Sequence, residues 1–98
     1  MLIDIRYYAQ TAEWLHCREE DLQLPPSAGQ ATVRQVFLLL AKRHGAVFTD
    51  KICAPQADSL QPGVFVLLNG CHLARLAGLD TPVQDQDLLA VLPVIEAG

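Results

Sequence analysis

The sequence has few of the features that define several common protein classes. Its three cysteines, Cys17, Cys53 and Cys71, are an odd number without a Cys-x-x-Cys pair, which indicates free thiols in a reducing compartment and not a secreted disulfide framework. No apolar stretch approaches the roughly 20 residues of a membrane span, and residues 1–8 lack the basic leader and apolar core of a signal peptide. We therefore expect a cytoplasmic location and no membrane partner.

Positive charge is also scarce. Seven Lys and Arg stand against eleven Asp and Glu, giving a net charge of -4, and the basic residues are scattered along the chain. A nucleic-acid surface needs clustered cations, so we expect no nucleic-acid partner. Negative charge suits a protein partner with a basic docking surface.

Motifs for catalysis or metal binding are absent as well. The chain has no Gly-rich phosphate loop, no Ser-His-Asp order and no carboxylates at metal-ligand spacing. The dipeptides His16-Cys17 and Cys71-His72 offer two cysteines and two histidines, but they lack the spacing of zinc fingers. We expect no bound metal. The acidic run Glu19–Asp21 is interpreted as a solvated strand edge, and His44 as a helix-end residue.

What the chain does have is enough apolar sequence for one packed domain. Its 98 residues are 51% hydrophobic and 18% charged, which is typical of a globule of common domain size. We assign residues 1–98 to a single domain and residues 94–98 to a flexible C-terminal tail, because only five residues follow Pro93.

The clearest element is a helix that begins after Thr32. Thr32 is a good N-cap, Gln35 stands in the capping-box position, and Gly45 ends the helix after basic residues 42–44. Its apolar residues recur at the spacing of one helical face: Val33, Val36, Phe37 and Leu40, with Leu38 and Leu39 widening the stripe.

Period-two and continuous apolar patterns predict the strands. They cover residues 2–8, 19–24, 64–68 and 88–92, with a short return strand within 71–76. Residues 9–18 are either a short helix or a loop. One helix with one apolar face needs one sheet to cover it, and the last strand, apolar on both faces, belongs at its centre beside the first. The order predicts an α+β fold: a β-grasp with a mixed sheet of four to five strands on one main helix.

The apolar excess of the late strands predicts a partner surface. By parity, one set of side chains faces the helix and the other lies on the open face of the sheet. We assign the open face and partner binding to the following residues: Phe65, Leu67, Leu89, Val91 and Pro93. The alternatives are that the long loop 46–63 covers this face or that the protein self-associates.

Several stretches, in order, resemble the MoaD and ThiS sulfur-carrier family. Residues 6–9 (RYYA) resemble the end of its first strand, and 68–70 (LNG) its Val-Asn-Gly turn. Residues 78–87 (GLDTPVQDQD) are similar to its Asp-Thr-Pro-Leu-x-Asp-Gly-Asp segment, and 91–94 (VLPV) resemble the Pro-Pro-Val before its tail. The combination points to the MoaD side of the family, the small subunit of molybdopterin synthase.

The resemblance implies a ubiquitin-like β-grasp whose C-terminal glycine reacts. Gly98 would be adenylated by an ATP-dependent partner and converted to a thiocarboxylate, with Glu96 and Ala97 threading the tail into the partner. The sulfur would pass to a larger synthase subunit during molybdenum cofactor biosynthesis, or to another acceptor. The chain itself would bind no cofactor and would not be catalytic alone, since ATP is used by the activating partner.

Two residues depart from the family pattern. Ala97 stands where the family has glycine, and a methyl group there restricts φ. Gln86 replaces the glycine of the Asp-Gly-Asp turn, where a side chain is costly at φ > 0. The alternative hypothesis is therefore a β-grasp interaction module without tail chemistry. A third is a small redox or metal protein that uses the cysteines.

Overall fold

The computed structural model describes residues 1–25 and 30–94. Strands and helices follow each other in this order: β1 (Leu2–Tyr7), α1 (Gln10–Leu15), β2 (Glu19–Gln23), α2 (Val33–His44), α3 (Ala46–Lys51), β3 (Val64–Leu68), β4 (Cys71–His72) and β5 (Leu88–Pro93). Short 3₁₀ helices at Leu73–Arg75 and Gly78–Asp80 connect β4 to β5. None of the helices in these two ranges has the length and apolar character needed to cross a bilayer.

The five strands form one mixed sheet in the order β2-β1-β5-β3-β4. β5 is central and runs parallel to β1, while the β1–β2, β3–β5 and β3–β4 pairs are antiparallel. The predicted β-grasp and the central position of the last strand are confirmed. The reason is burial, since a strand with apolar residues on both faces is least exposed in the middle of a sheet.

Helix α2 begins and ends as its sequence predicts. The Gln35 amide donates to Thr32 Oγ1 at 3.4 Å and the Thr32 amide donates to Gln35 Oε1 at 3.2 Å, completing the capping box. Gly45 follows the helix with φ 78°. The residues of its predicted apolar face are at most 1% exposed: Val33, Val36, Phe37 and Leu40. Leu38, expected to widen that face, is instead exposed.

The structure shows the conformation of the connecting segments whose secondary structure the sequence left uncertain. Residues 10–15 form the helix that sequence left open, and α3 shortens the long connection after Gly45. Asn69 and Gly70 both have positive φ, as a tight hairpin turn requires. The strand predicted within 71–76 is wrong beyond His72, because His72 Nδ1 accepts a hydrogen bond from the Ala74 amide and starts a 3₁₀ turn.

A carboxylate on the inner face of the sheet joins β2 to the end of α2. Glu20 accepts hydrogen bonds from Tyr7 Oη at 2.7 Å, His44 Nε2 at 2.6 Å and Arg43 Nη1 at 2.7 Å. Its side chain is only 11% exposed. The interpretation of residues 19–21 as a solvated edge is therefore wrong for Glu20. Period two alone places this residue on the same face as buried Leu22.

Candidate functional site

The candidate site is the end of β5 together with the sheet face beside it. The Val91 carbonyl accepts hydrogen bonds from the Tyr8 amide at 3.1 Å and from the buried Thr11 hydroxyl at 3.0 Å. The Val94 amide donates to the Gly63 carbonyl at 2.7 Å. Hydrogen bonds thus hold the chain on both sides up to Val94, a residue that is 51% exposed. Whatever follows Val94 starts from a fixed point at the sheet end.

The predicted reactive residues lie beyond that fixed point. Glu96, Ala97 and Gly98, and nearly all of the predicted tail 94–98, fall outside the described residues. Their assigned roles in threading and in tail chemistry therefore stay predictions.

Register corrects the predicted partner surface. Phe65 pairs with Leu92 and Leu67 with Ala90, so these side chains share the outer face, away from α2. Leu89 and Val91, assigned to that face from sequence, are each 0% exposed and lie in the core. The error lay in the relative register of β3 and β5, since a shift by one residue exchanges the faces of a strand.

The outer face has a half-buried apolar centre. Its side chains project from β3 and β5 and have intermediate exposure: Phe65, Leu67, Leu88, Ala90 and Leu92. Pro93 ends β5, paired with Val64 and partly exposed.

His72 belongs to the same face and was not predicted there. It pairs with Leu67 across the β3–β4 hairpin, and its ring lies parallel to that of Phe65 with centroids 5.4 Å apart. Because Nδ1 accepts from Ala74, the neutral ring carries its proton on Nε2. The Asn-Gly turn was the signal that sequence offered, since a two-residue turn fixes this register.

The cysteines do not form a reactive or metal-binding group in the described part of the chain. Cys17 precedes β2 and Cys71 lies in β4, and these two strands form opposite edges of the sheet. With neighbouring strands about 4.8 Å apart, the two edge strands of a five-stranded sheet are separated by roughly 19 Å. No cluster of three potential ligands occurs within residues 1–25 and 30–94. Burial raises the pKa of the Cys53 thiol to about 11 and also raises the pKa of Cys17. Protonated thiols are poor nucleophiles at neutral pH.

Comparison with known proteins identifies relatives across the whole chain. The family model described as the ThiS family matches residues 5–98. Among solved structures, SAMP1 from Haloferax volcanii is 22% identical, with 100% of both chains covered and a TM-score of 0.79. The putative molybdopterin converting factor subunit 1 from Pyrococcus furiosus is 23% identical over 97% of this chain and 99% of that chain, with a TM-score of 0.72.

A third similar structure was determined with a partner. The BexX/CysO complex of Amycolatopsis orientalis contains a chain 18% identical to this one, covering 98% of this chain and 99% of that chain, with a TM-score of 0.71. At these identities the solved structures establish the ubiquitin-like β-grasp fold only. Membership of a family is shown by the family model, which matches residues 5–98.

Proposed function

The chain belongs to the ThiS family of ubiquitin-like sulfur carriers, and from this premise we propose that Gly98 is its reacting residue. The carboxylate of Gly98 is adenylated by an ATP-dependent partner and converted to a thiocarboxylate, which then donates sulfur. The observation that supports this proposal is the central β5, which is fixed by hydrogen bonds up to Val94. A carrier needs a rigid body that presents its tail in one direction.

The chemistry explains why an activating partner is needed. A carboxylate is a poor electrophile until one oxygen becomes part of a good leaving group. A Gly98 carboxylate oxygen attacks the α-phosphorus of ATP, the bond to pyrophosphate breaks, and an acyl-adenylate forms. Hydrosulfide then attacks the acyl carbon, AMP leaves with that oxygen, and the proton goes to solvent. The product is a thiocarboxylate, with no change in oxidation state.

The length of the tail and the small size of its last residue both suit the proposed reaction. Covalent geometry limits the four residues 95–98 to about 14 Å when fully extended, enough to carry an acyl group out of the sheet into a partner's channel. Glycine beside the reacting centre leaves the acyl carbon unhindered. Ala97 adds one methyl group where the family has glycine. The partner's channel must therefore have room for the side chains of both Glu96 and Ala97.

Two kinds of partner follow from this role. An adenylating enzyme converts the tail, and a second protein accepts the sulfur. We propose a larger molybdopterin synthase subunit as that acceptor, so that the chain acts in molybdenum cofactor biosynthesis. The resemblance of residues 78–87 and 91–94 to the MoaD side and the likeness to the Pyrococcus furiosus subunit support this assignment. Phe65 and Leu67, with Pro93 at the sheet end, would contact a partner.

Adenylation is tested by ATP–pyrophosphate exchange with a purified candidate adenylating enzyme. We expect exchange that depends on the chain and that disappears when Gly98 is deleted. An Ala97→Gly variant serves as the matched control for the tail and should exchange at least as fast as the natural sequence. If a Gly-Gly carrier supports exchange with its own enzyme and this chain supports none with any candidate, the interaction-module hypothesis replaces this one.

A further inference from the structure

Strand β2 is one edge of the sheet, and part of its backbone points away from the neighbouring strand. In the order β2-β1-β5-β3-β4, no strand within the described ranges pairs with β2 on the side away from β1. The Tyr7 amide donates to the Arg18 carbonyl, which makes this a hydrogen-bonded pair. Bonded and non-bonded pairs alternate along an antiparallel ladder. The N–H and C=O groups of Asp21 and Gln23 therefore point outward from the edge.

Most of these outward groups are not used by the described part of the chain. The Asp21 carbonyl accepts a hydrogen bond from Arg43 Nη1 at 3.1 Å, which confirms that it points away from β1. The Asp21 amide and both backbone groups of Gln23 have no hydrogen-bond partner among residues 1–25 and 30–94. Pairing with β1 is regular over residues 19–23, so no bulge twists the edge away. Such an edge is a template for a further strand.

An apolar groove of about 260 Å³ lies between the end of β2 and α2. Leu24 contributes to its wall from the sheet side. One stripe of α2 forms the facing wall, with side chains at the spacing of one helical face: Gln35, Leu38, Leu39 and Lys42. Leu38 is 37% exposed, so an apolar side chain that the core does not bury lines this groove.

The groove runs alongside the β2 edge and not across it. Leu24 near the end of β2 lines the groove together with Gln35 near the start of α2. Arg43 near the end of α2 contacts the carbonyl of Asp21, earlier in β2. The strand and the helix are therefore antiparallel neighbours at this edge. A strand added to β2 would lie along the groove, and every second side chain of that strand would enter it.

The other face of the same edge is acidic. Asp21 stands directly opposite Asp4 in a non-bonded pair, where side chains are closest and like charges destabilise a sheet. Arg6 contacts the carboxylates of Asp4 and Glu19. No cation of the described residues forms an ion pair with the Asp21 carboxylate. A cation on an added strand opposite Asp21 would therefore compensate this excess of negative charge.

We propose that β2 accepts, as a sixth strand, an extended segment of a partner protein in which apolar residues alternate with basic ones. A basic residue pairs with Asp21, and the apolar residues on either side of it enter the groove beside Leu38. Arg43 releases the Asp21 carbonyl and keeps its ion pair with Glu20. In this mode of recognition, main-chain hydrogen bonds give affinity and the pockets for alternate side chains give specificity.

Charge disfavours two other occupants of this edge. A second copy that paired through its own β2 would bring Glu19 and Asp21 against the same acidic residues. Residues 95–98 of the chain itself contain a glutamate and no cation. The proposal is also independent of the tail chemistry, since β1 separates the β2 edge from β5.

The probe is a synthetic peptide, acetyl-Ser-Val-Lys-Val-Lys-Val-Ser-amide, titrated into the full-length chain. Binding is followed by the NMR shifts of backbone amide signals. We expect saturable shifts at Asp21, Gln23 and Leu38. The same peptide with glutamate in place of lysine should bind about tenfold more weakly at low salt, and the difference should shrink at high salt.

Two matched pairs of variants test the edge and the groove separately. Gln23→Pro removes an outward amide at a position where an edge strand tolerates proline. It should weaken binding about tenfold, whereas Gln23→Ala should not. Leu38→Gln removes part of the apolar wall and should weaken binding about fivefold, whereas Leu76→Gln, at another exposed leucine, should not. Thermal unfolding reports whether each variant folds, and the leucine pair decides the test if Gln23→Pro does not fold.

Several results would overturn the proposal. These are the absence of saturable shifts, shifts centred on Phe65 and Leu67, equal binding of the two peptides, or unchanged binding by Leu38→Gln. Self-association that Gln23→Pro abolishes, measured by sedimentation, would make a second copy the occupant instead. Replacement of residues 26–29 by glycine should leave peptide binding unchanged. Binding that became about tenfold tighter would mean that the chain fills its own groove, which also overturns the proposal.

Discussion

The two faces of β5 carry similar apolar side chains in very different surroundings. On the inner face Leu89 and Val91 are fully buried in the core that α2 shares, whereas on the outer face Leu88, Ala90 and Leu92 keep intermediate exposure. The inner side chains are accounted for by the core. The outer ones are not explained by that core, and an apolar face that is partly open to solvent beside the end of β5 is well placed to hold a partner.

The largest effect we expect comes from truncating one leucine on each face. Leu89→Ala leaves a cavity in the core and should lower the free energy of unfolding by about 3 kcal/mol, within the range of buried leucine truncations. Leu92→Ala should cost less than about 1 kcal/mol, since its side chain is already partly in water. Urea unfolding followed by circular dichroism measures both, and equal losses would contradict the assignment of faces.

Adjacent glutamates give the next comparison. Glu20→Gln removes the charge that holds Tyr7, Arg43 and His44 and should cost about 2 kcal/mol, the scale of hydrogen bonds to charged groups. The side chain of Glu19 is 70% exposed, so Glu19→Gln should change stability by less than about 0.5 kcal/mol. The same unfolding experiment distinguishes them. A small loss for Glu20→Gln would show that the cluster does not hold α2 to the sheet.

The Glu20 cluster also predicts a pH dependence. Burial alone would raise the pKa of this carboxyl, but hydrogen bonds from Arg43, Tyr7 and His44 together lower its pKa below the ordinary value of 4.5. A lowered pKa stabilises the folded state above the ordinary value, and the contribution is lost as pH falls through the folded value. The stability advantage over Glu20→Gln should therefore disappear on acidification. An advantage that is constant from pH 7 to pH 3 would contradict this.

The smallest effect concerns the turn that leads into β5. Gln86 keeps the positive φ, 71°, that glycine adopts freely, so Gln86→Gly should stabilise the chain by about 1 kcal/mol. Gln84→Gly, two residues earlier at an exposed position without positive φ, is the control and should not stabilise. Thermal unfolding measures both variants, and a loss of stability in Gln86→Gly would mean that its side chain contributes to the turn.

The fold could be predicted from sequence because local signals agreed with each other. The capping box at Thr32, the Asn-Gly turn and the doubly apolar last strand each specify one conformation, and together they leave one arrangement of sheet and helix. The resemblance to sulfur carriers, which rests on several motifs in the same order along the chain, predicted the same β-grasp fold.

The site was harder to predict because it depends on register between distant strands. Sequence separates the two faces of β3 and of β5 but does not say which face of one matches which face of the other, so Leu89 and Val91 were placed wrongly. The alternation of β2 already places Glu20 on the buried face, but sequence does not show its partners Arg43 and His44, which come from another element. The chemistry proposed for the Ala97-Gly98 end rests on residue type and family resemblance alone, because these two residues lie outside the described part of the chain.

The central claim is that sulfur is carried on the carboxylate of Gly98. The most direct test is intact mass followed by tandem fragmentation after incubation with the adenylating enzyme, ATP and sulfide. Replacement of oxygen by sulfur adds about 16 Da, the same nominal mass as oxidation of a cysteine, so the fragment must be assigned. The account predicts sulfur on Gly98. An unmodified C-terminus, while a Gly-Gly carrier is converted in the same tube, would contradict it.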